Sequence, residues 1–290
     1  MNGRKANGKQ YDWSTHHAMC EDGTGDQDSL LRMYGRATKR SPLFKNEPAM
    51  CSSCPATKLK EETESESSSD DVVTAPAKES LERSFLTPFE KPSLPTGIVY
   101  DERMCAHAAN SGCEIPERIA SIFETLKNEG LLDGGGCTLF EGREATDKEL
   151  CRVHTKAHVD AIDKLATMSD KEIRKFERKL NSIDLNQETP LAARLAAGSL
   201  VDLCEKVVDS ELANGFAIIR PPGHHCESCL PFGFCMYSNV AIAVRALQAK
   251  NPGIKVLIVD WDVHHGNSTQ HQFWHDENVL YFSTHRYDNG

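Results

Sequence analysis

Short apolar segments alternate with helix-forming segments beyond residue 95, and this alternation limits the folds that the chain can adopt. Ile115, Ile119, Ile122 and Leu126 have the spacing of one buried helix face. The candidate strands are short and rich in β-branched or aromatic residues, and they are Gly97–Tyr100, Cys137–Phe140, Gly215–Ile219, Lys255–Val259 and Asn278–Phe282. Strands separated by crossover helices predict an α/β fold with a mostly parallel sheet.

Polar residues mark where several of the helices begin. Thr146 with Glu149, and Ser169 with Glu172, have the spacing of a capping box, in which each side chain bonds the other residue's backbone N–H. Pro190 suits the first turn of a further helix, because the backbone N–H that proline lacks has no partner there. Helices are therefore predicted after each of these positions.

The beginning of the chain has a different composition. Residues 1–94 show no sustained helical or strand period, and acidic and serine residues dominate Glu61–Asp71. Segments of this kind bury too little apolar surface to fold. We therefore predict a disordered, acidic and serine-rich tail over residues 1–94 and one folded region over residues 95–290.

An excess of acidic residues and a high cysteine count restrict the partners and the compartment. The 33 Lys and Arg against 43 Asp and Glu give a net charge of -10, so we expect no direct nucleic-acid binding. An acidic surface would favour basic peptides, but the same charge is typical of a soluble protein, and charge alone favours that second interpretation. No segment resembles a secretory signal or a membrane span, so no membrane association is expected. The 11 cysteines are then expected to be mostly reduced thiols.

Carboxylates and imidazoles follow the strand candidate Lys255–Val259. If the strand alternation continues, Asp260, Asp262 and His264 lie on one side of it, where a cation would offset the repulsion between the carboxylates. Asp262 and His264 suit zinc or a similar divalent metal, although two ligands do not complete a site. A hydrogen-bonded cluster at a strand end is the alternative that this stretch alone leaves open.

A second pair of imidazoles follows the preceding strand candidate. His224 and His225 end the stretch Arg220-Pro-Pro-Gly-His-His225. The carboxyl ends of parallel strands meet at one edge of a sheet, so these histidines are expected to reach the same pocket as Asp262 and His264. A metal-activated water needs a base, and histidine titrates nearest to neutral pH.

These motifs together resemble the zinc-dependent histone deacetylases of the arginase and deacetylase superfamily. The matching stretches have the family's order and spacing, and they are Arg220–His225, Gly233–Cys235, Asn239–Ala241, Val259–Asn267 and Phe282–His285. Trp261 and Asn267 indicate the class II branch, and the sequence as a whole resembles the plant members of the family. The resemblance implies a three-layer arginase/deacetylase-like fold and the hydrolysis of acetyl-lysine amides.

The resemblance also assigns roles to individual residues. Asp262 and His264 would be two protein ligands of Zn²⁺. His225 would be the general base and acid, oriented by Asn267. The implied catalytic residues are therefore His224, His225, Asp260 and Asn267, with His224 paired to Asp260.

Further assignments concern the substrate tunnel and a second cation. Gly233 and Phe234 would line the tunnel for the lysine methylenes, and Arg118 would lie beneath the pocket. The family's monovalent cation, usually K⁺, would be held by Asp260, Asp262, His264, Ser283 and Thr284.

Parts of the family pattern have no counterpart in the 290 residues. They include the third zinc ligand, an aspartate, and the tyrosine that donates to the oxyanion. Two strands that the family places between those ending near His225 and His264 are also missing. We therefore expect an N-terminal part of the catalytic domain, truncated at its C-terminal end, with uncovered apolar faces and little activity of its own.

The sequence leaves three functions open. The first is zinc-dependent deacetylation of acetylated histone tails or other acetyl-lysine proteins. It would give transcriptional repression in the nucleus. Shuttling to the cytoplasm and membership of a corepressor complex are further expectations of this first function. The second is an inactive deacetylase-like interaction protein. The third is an amidohydrolase of the same superfamily that acts on small acetylated amines. The first is preferred.

Overall fold

The computed structural model describes residues 94–108, 112–132 and 136–287. The tail predicted over residues 1–94 lies outside them except for Leu94. The described strands are β1 (Thr96–Tyr100), β2 (Cys137–Phe140), β3 (Asn214–Ile218), β4 (Val256–Asp260) and β5 (Val279–Ser283). All five strand candidates are confirmed, with ends that differ from the predicted ones by at most one residue.

Seven α-helices and two 3-10 turns connect the strands within the described residues. The helices are α1 (Pro116–Asn128), α2 (Asp147–Leu150), α3 (Lys156–Asp163), α4 (Asp170–Glu177), α5 (Thr189–Val208), α6 (Asn239–Lys250) and α7 (Asn267–Phe273), and the 3-10 turns are Glu102–Ala106 and Lys164–Thr167. Both predicted capping boxes are present, at the starts of α2 and α4. None of the described helices has the length and apolar character needed to cross a membrane.

The strands form two parallel sheets. β1 lies between β2 and β3, with Ile98 opposite both Leu139 and Phe216. β4 pairs with β5, and Asp260 lies opposite Ser283 at the carboxyl end of that pair. Because every pairing of the named strands is parallel and helices provide the crossovers, the predicted α/β fold with a mostly parallel sheet is confirmed.

Helix α5 is central to the described core. Its Leu195 and Ala196 are fully buried in one cluster with Ile98 of β1, while Ala197 and Val201 are fully buried in a second cluster that includes α6. A fully buried leucine or valine side chain contributes roughly 1.5–3 kcal/mol. The first cluster packs on the sheet that leads into the histidine loop, and the second packs on β4 and β5.

The sheet of β4 and β5 leaves one apolar face uncovered by described residues. Leu257 and Leu280 are opposite each other and are 61% and 66% exposed, and Val259 and Phe282 form the next exposed pair. Alternate residues of both strands pack on the core instead. The strands β3 and β4 belong to separate sheets, so their edges do not pair with each other.

Candidate active site

Two loops bring the predicted site residues together. One follows β3 and carries His224 and His225, and the other follows β4 and carries Asp262 and His264. The ring centroids of His224 and His225 are 4.1 Å apart, and those of His225 and His264 are 6.1 Å apart. The two loops therefore lie side by side, and a shared pocket at the carboxyl ends of the strands stays a prediction.

The chain turns sharply after β4, which ends at Asp260. The Asp260 carboxylate accepts from the backbone N–H of Asp262 at 3.1 Å, and the Asp262 carboxylate accepts from that of His264 at 2.7 Å. Such turns compete with strand geometry. The predicted continuation of strand alternation through these three residues is therefore wrong, because β4 ends at Asp260 and the backbone turns before Asp262 and His264.

His224 and Asp260 form a close pair. The Nδ1 atom of His224 is 2.9 Å from Asp260 Oδ2, which also accepts from the Tyr281 hydroxyl at 3.1 Å. Burial raises the pKa of Asp260, but hydrogen bonds from His224, the Asp262 backbone and Tyr281 outweigh it, so the pKa lies below its usual value. Asp260 is thus an ionised carboxylate that orients His224.

Gly266 leaves room for this pair. A Cβ atom at Gly266 would lie 2.4 Å from Asp260 Oδ2 and 2.6 Å from the Tyr281 hydroxyl. Its φ of -76° is ordinary for any residue, so the requirement for glycine is one of space.

His225 is held by an amide. Its Nδ1 atom lies 2.7 Å from Asn267 Oδ1 at the start of α7. Burial and the neighbouring His224 lower the pKa of His225 to about 4. A ring that is neutral at physiological pH can accept a proton, as the base assignment requires.

Asp262 and His264 have donor atoms at a separation that suits one metal ion. Asp262 Oδ1 and His264 Nδ1 are 3.3 Å apart. Two ligands of a tetrahedral zinc, each about 2 Å from the ion, are separated by about 3.3 Å. The pair therefore fits zinc as two of its ligands, and a catalytic zinc usually has three from the protein.

A second group of metal-type donors lies in the core of the described region, formed by His154, His158 and Cys226. The two ring nitrogens of His154 bond the Glu227 carbonyl at 3.1 Å and the Ser238 N–H at 2.9 Å. His158 Nε2 bonds the Met236 carbonyl at 2.8 Å. Because backbone groups occupy these nitrogens, the three residues anchor the histidine loop and do not form a metal site.

The predicted tunnel residues have an unusual backbone. Gly233 and Phe234 both have positive φ, at 53° and 66°. Their N–H groups donate to the carbonyls of Asn181 and Ser182, at 3.2 and 2.7 Å. A left-handed phenylalanine is sterically costly and is found mainly where surrounding structure enforces it, often at binding sites. A Cβ at Gly233 would lie 2.4 Å from the His225 ring, so the turn also abuts the base.

The residues predicted for the monovalent cation are close in the fold. Asp260 is in register with Ser283, and the Thr284 N–H donates to the Asp260 carbonyl at 3.2 Å. The Ser283 hydroxyl lies 2.8 Å from His285 Nδ1. A cation at this position stays a prediction.

Arg118, whose position beneath the pocket stays a prediction, shares its carboxylate partner with a second arginine. Arg118 donates to the Ile219 carbonyl at 2.9 Å and to Glu114 at 3.1 Å. The fully buried Arg220 binds the same carboxylate and several backbone carbonyls. Glu227, which contacts Asn267, was also missed as a site residue, because neither contact leaves a local pattern in the sequence.

Known proteins are similar to this chain in sequence and fold. The family pattern described as "Histone deacetylase domain" matches residues 112–290. Histone deacetylase 18 of Arabidopsis thaliana is 46% identical over 207 residues, covering 69% of this chain and 30% of that protein. Histone deacetylase clr3 of Schizosaccharomyces pombe is 40% identical over 206 residues, covering 67% of this chain and 30% of that protein.

A solved structure is also similar to this chain. The crystal structure of the HDA15 HD domain has a TM-score of 0.58 and 38% identity, covering 67% of this chain and 54% of that chain. The chain thus spans about 30% of the length of the curated relatives it matches. The predicted class II, plant-like resemblance and deacetylase fold are confirmed, and the chain belongs to the histone deacetylase family.

Proposed function

We propose that the protein hydrolyses the amide of acetyl-lysine on histones or other proteins in a zinc-dependent reaction. The observation that carries this proposal is the neutral, half-buried His225, hydrogen-bonded to Asn267 at 2.7 Å and with its ring centroid 6.1 Å from that of His264 of the metal-type pair. A base next to metal ligands is the arrangement that amide hydrolysis by an activated water requires.

The chain's own residues would handle the proton. Asp262 and His264 would hold part of the coordination of a zinc ion, which when bound supplies a Lewis acid for the amide carbonyl and for a water. His225 would take the proton of the attacking water at Nε2 and return it to the leaving lysine amine. His224, oriented by the Asp260 carboxylate at 2.9 Å, would donate a hydrogen bond at the reacting carbonyl.

Substrate shape and charge support a peptide carrying acetyl-lysine. Phe234, fixed in its left-handed turn beside Gly233, would contact the lysine methylenes. The net charge of -10 favours basic peptides such as histone tails. From the family we also propose a nuclear protein with a K⁺ site near Asp260, action within a corepressor complex, and transcriptional repression.

The described residues account for part of the zinc coordination that hydrolysis needs. Asp262 and His264 would supply two of the three protein ligands that a catalytic zinc usually has. A site that lacks one ligand or one oxyanion donor typically loses about 100-fold in affinity or rate. A polypeptide with an incomplete ligand set would act as a deacetylase-like interaction protein, which is the alternative function.

Substrate preference tests the proposal. The gene product is purified from its own cells and assayed with an acetyl-lysine histone peptide and with acetylated polyamines, before and after chelation and zinc return. We expect peptide hydrolysis that chelation abolishes and zinc restores, with polyamines used at least tenfold less well. Preferential polyamine hydrolysis would support the small-amine alternative, and chelator-resistant hydrolysis would contradict zinc dependence.

A further inference from the structure

The side-chain amide of Asn267 is bonded at both of its ends. Its Oδ1 atom lies 2.7 Å from His225 Nδ1. Its Nδ2 atom donates to Glu227 Oε1 at 2.5 Å and, more weakly, to the His225 carbonyl at 3.4 Å. The base histidine and the Glu227 carboxylate therefore lie on opposite sides of one amide group.

Donor and acceptor chemistry fixes the orientation of the Asn267 amide between His225 and Glu227. An ionised carboxylate only accepts hydrogen bonds, so the NH₂ group of Asn267 must point to Glu227. The amide oxygen must then face His225, and an oxygen that only accepts requires a proton on His225 Nδ1. The other ring nitrogen, Nε2, is consequently left as the basic one.

Glu227 is itself held in place. Its Oε1 atom is also 2.9 Å from Nδ1 of His271, which lies one turn after Asn267 on α7. Its backbone N–H donates to the Leu230 carbonyl at 3.0 Å, and its carbonyl bonds His154 Nδ1 at 3.1 Å. The carboxylate is therefore positioned by bonds that do not depend on Asn267.

We propose that Glu227 is a positioning residue that selects the Nδ1-protonated tautomer of His225 through the Asn267 amide. Without the carboxylate, the amide can rotate by 180° and present its NH₂ group to His225, which then carries its proton on Nε2 and cannot act as a base there. Only the catalytic consequence rests on the proposed deacetylase function. The tautomer itself is a property of the chain.

The tautomer can be read directly by ¹⁵N NMR of the histidine-labelled 290-residue chain, in which protonated and unprotonated ring nitrogens have distinct shifts. His225 signals are assigned by their loss in His225→Gln. We expect the Nδ1-protonated form in the unaltered chain and in Glu227→Gln, which keeps an accepting oxygen. Glu227→Ala and Glu227→Met should show a mixture or the Nε2-protonated form.

An epistasis experiment separates positioning from general structural support. Asn267→Asp has two accepting oxygens and no NH₂ group, so it needs no orienting partner. Adding Asn267→Asp to Glu227→Ala should return His225 to the Nδ1-protonated form. Ser228→Ala is the matched control, because it removes the adjacent bond from Gln272 at 2.8 Å without touching Asn267.

Catalysis gives an independent readout in the purified gene product. Glu227→Ala is expected to lower kcat by 10- to 100-fold with little change in KM, and Glu227→Gln to keep most of the rate. An unchanged His225 tautomer in folded Glu227→Ala and Glu227→Met would overturn the proposal, as would failure of the double variant to restore it. If the tautomer shifts while the gene product hydrolyses no acetyl-lysine, the deacetylase function fails and the positioning role stands.

Discussion

The guanidinium of Arg220 is completely buried and lies 2.8 Å from the carboxylate of Glu114, 106 residues earlier in the chain. Its remaining N–H groups donate to the carbonyls of Met104, His107 and Ala108 at 2.9–3.1 Å. Arg220 therefore joins the segment after β1 to the residue where the histidine loop leaves β3. A buried charge with this many bonds fixes the geometry of both segments.

Loss of Glu114 should destabilise the fold strongly. Glu114→Leu leaves the Arg220 charge buried without its carboxylate, and breaking such a pair costs about 3–5 kcal/mol. Urea unfolding of the purified chain measures the loss. Lys156→Ala is the control, because its ion pair with Asp160 is more than half exposed on both sides and should contribute less than about 1 kcal/mol. Equal effects of the two substitutions would contradict the structural role of the buried pair.

Gly266→Ala should impair catalysis more than stability. The added Cβ would lie 2.4 Å from Asp260 Oδ2 and would displace the carboxylate from His224. We expect the free energy of unfolding to fall by about 1–3 kcal/mol because of overpacking. The kcat of the gene product on an acetyl-lysine peptide should fall by 10- to 100-fold.

The matched control for that substitution is Gly253→Ala. Gly253 has a φ of +86° and no atom within 4 Å of an added Cβ, so alanine there adds backbone strain of about 1 kcal/mol without touching the site. Both variants should lose stability, and only Gly266→Ala should lose activity. A full rate in folded Gly266→Ala would show that the His224–Asp260 pair is dispensable.

Stability should fall with acidification because of buried histidines. Burial lowers the pKa of His158 to about 4, whereas an unfolded histidine titrates near 6.5. The unfolded state therefore binds the proton first, and stability that is fully present above pH 6.5 decreases until about pH 4. His158 accounts for about 3 kcal/mol of this loss, and His154 adds to it in the same direction.

The pH effect is measured by urea unfolding from pH 7.5 to 4. His158→Gln should be less stable at neutral pH but should lose less stability on acidification than the unaltered chain. His275→Ala, which removes an exposed imidazole, is the control for the substitution itself and should keep the stability of the unaltered chain at neutral pH. Equal slopes for the chain and His158→Gln would contradict the assignment of the loss to His158.

The positions of the strands could be predicted from the sequence because buried parallel strands are continuous apolar runs, as in Val256–Asp260. The proximity of the histidine pair to Asp262 and His264 could be predicted, since both motifs lie in the loops that follow strands. The turn after Asp260 was not predicted, because carboxylates that accept backbone N–H groups override strand alternation.

Contacts between distant residues were not predictable from local patterns. Glu227 and Asn267 are 40 residues apart, and Arg220 and Glu114 are 106 apart. These contacts contribute to the fold because they are shielded from water and because each donor has an acceptor, and only the folded structure reveals both conditions. Glu227 lies in a loop where no local sequence pattern marks its carboxylate as part of the site.

Hydrolysis of an acetyl-lysine histone peptide by the gene product, with and without His225→Ala, tests the central claim most directly. His275→Ala serves as the control for loss of an exposed imidazole. We predict that His225→Ala lowers kcat by about 100-fold or more with little change in KM and with the fold retained, whereas His275→Ala keeps the full rate. An unchanged kcat in folded His225→Ala would contradict the assignment of this site as the hydrolytic centre.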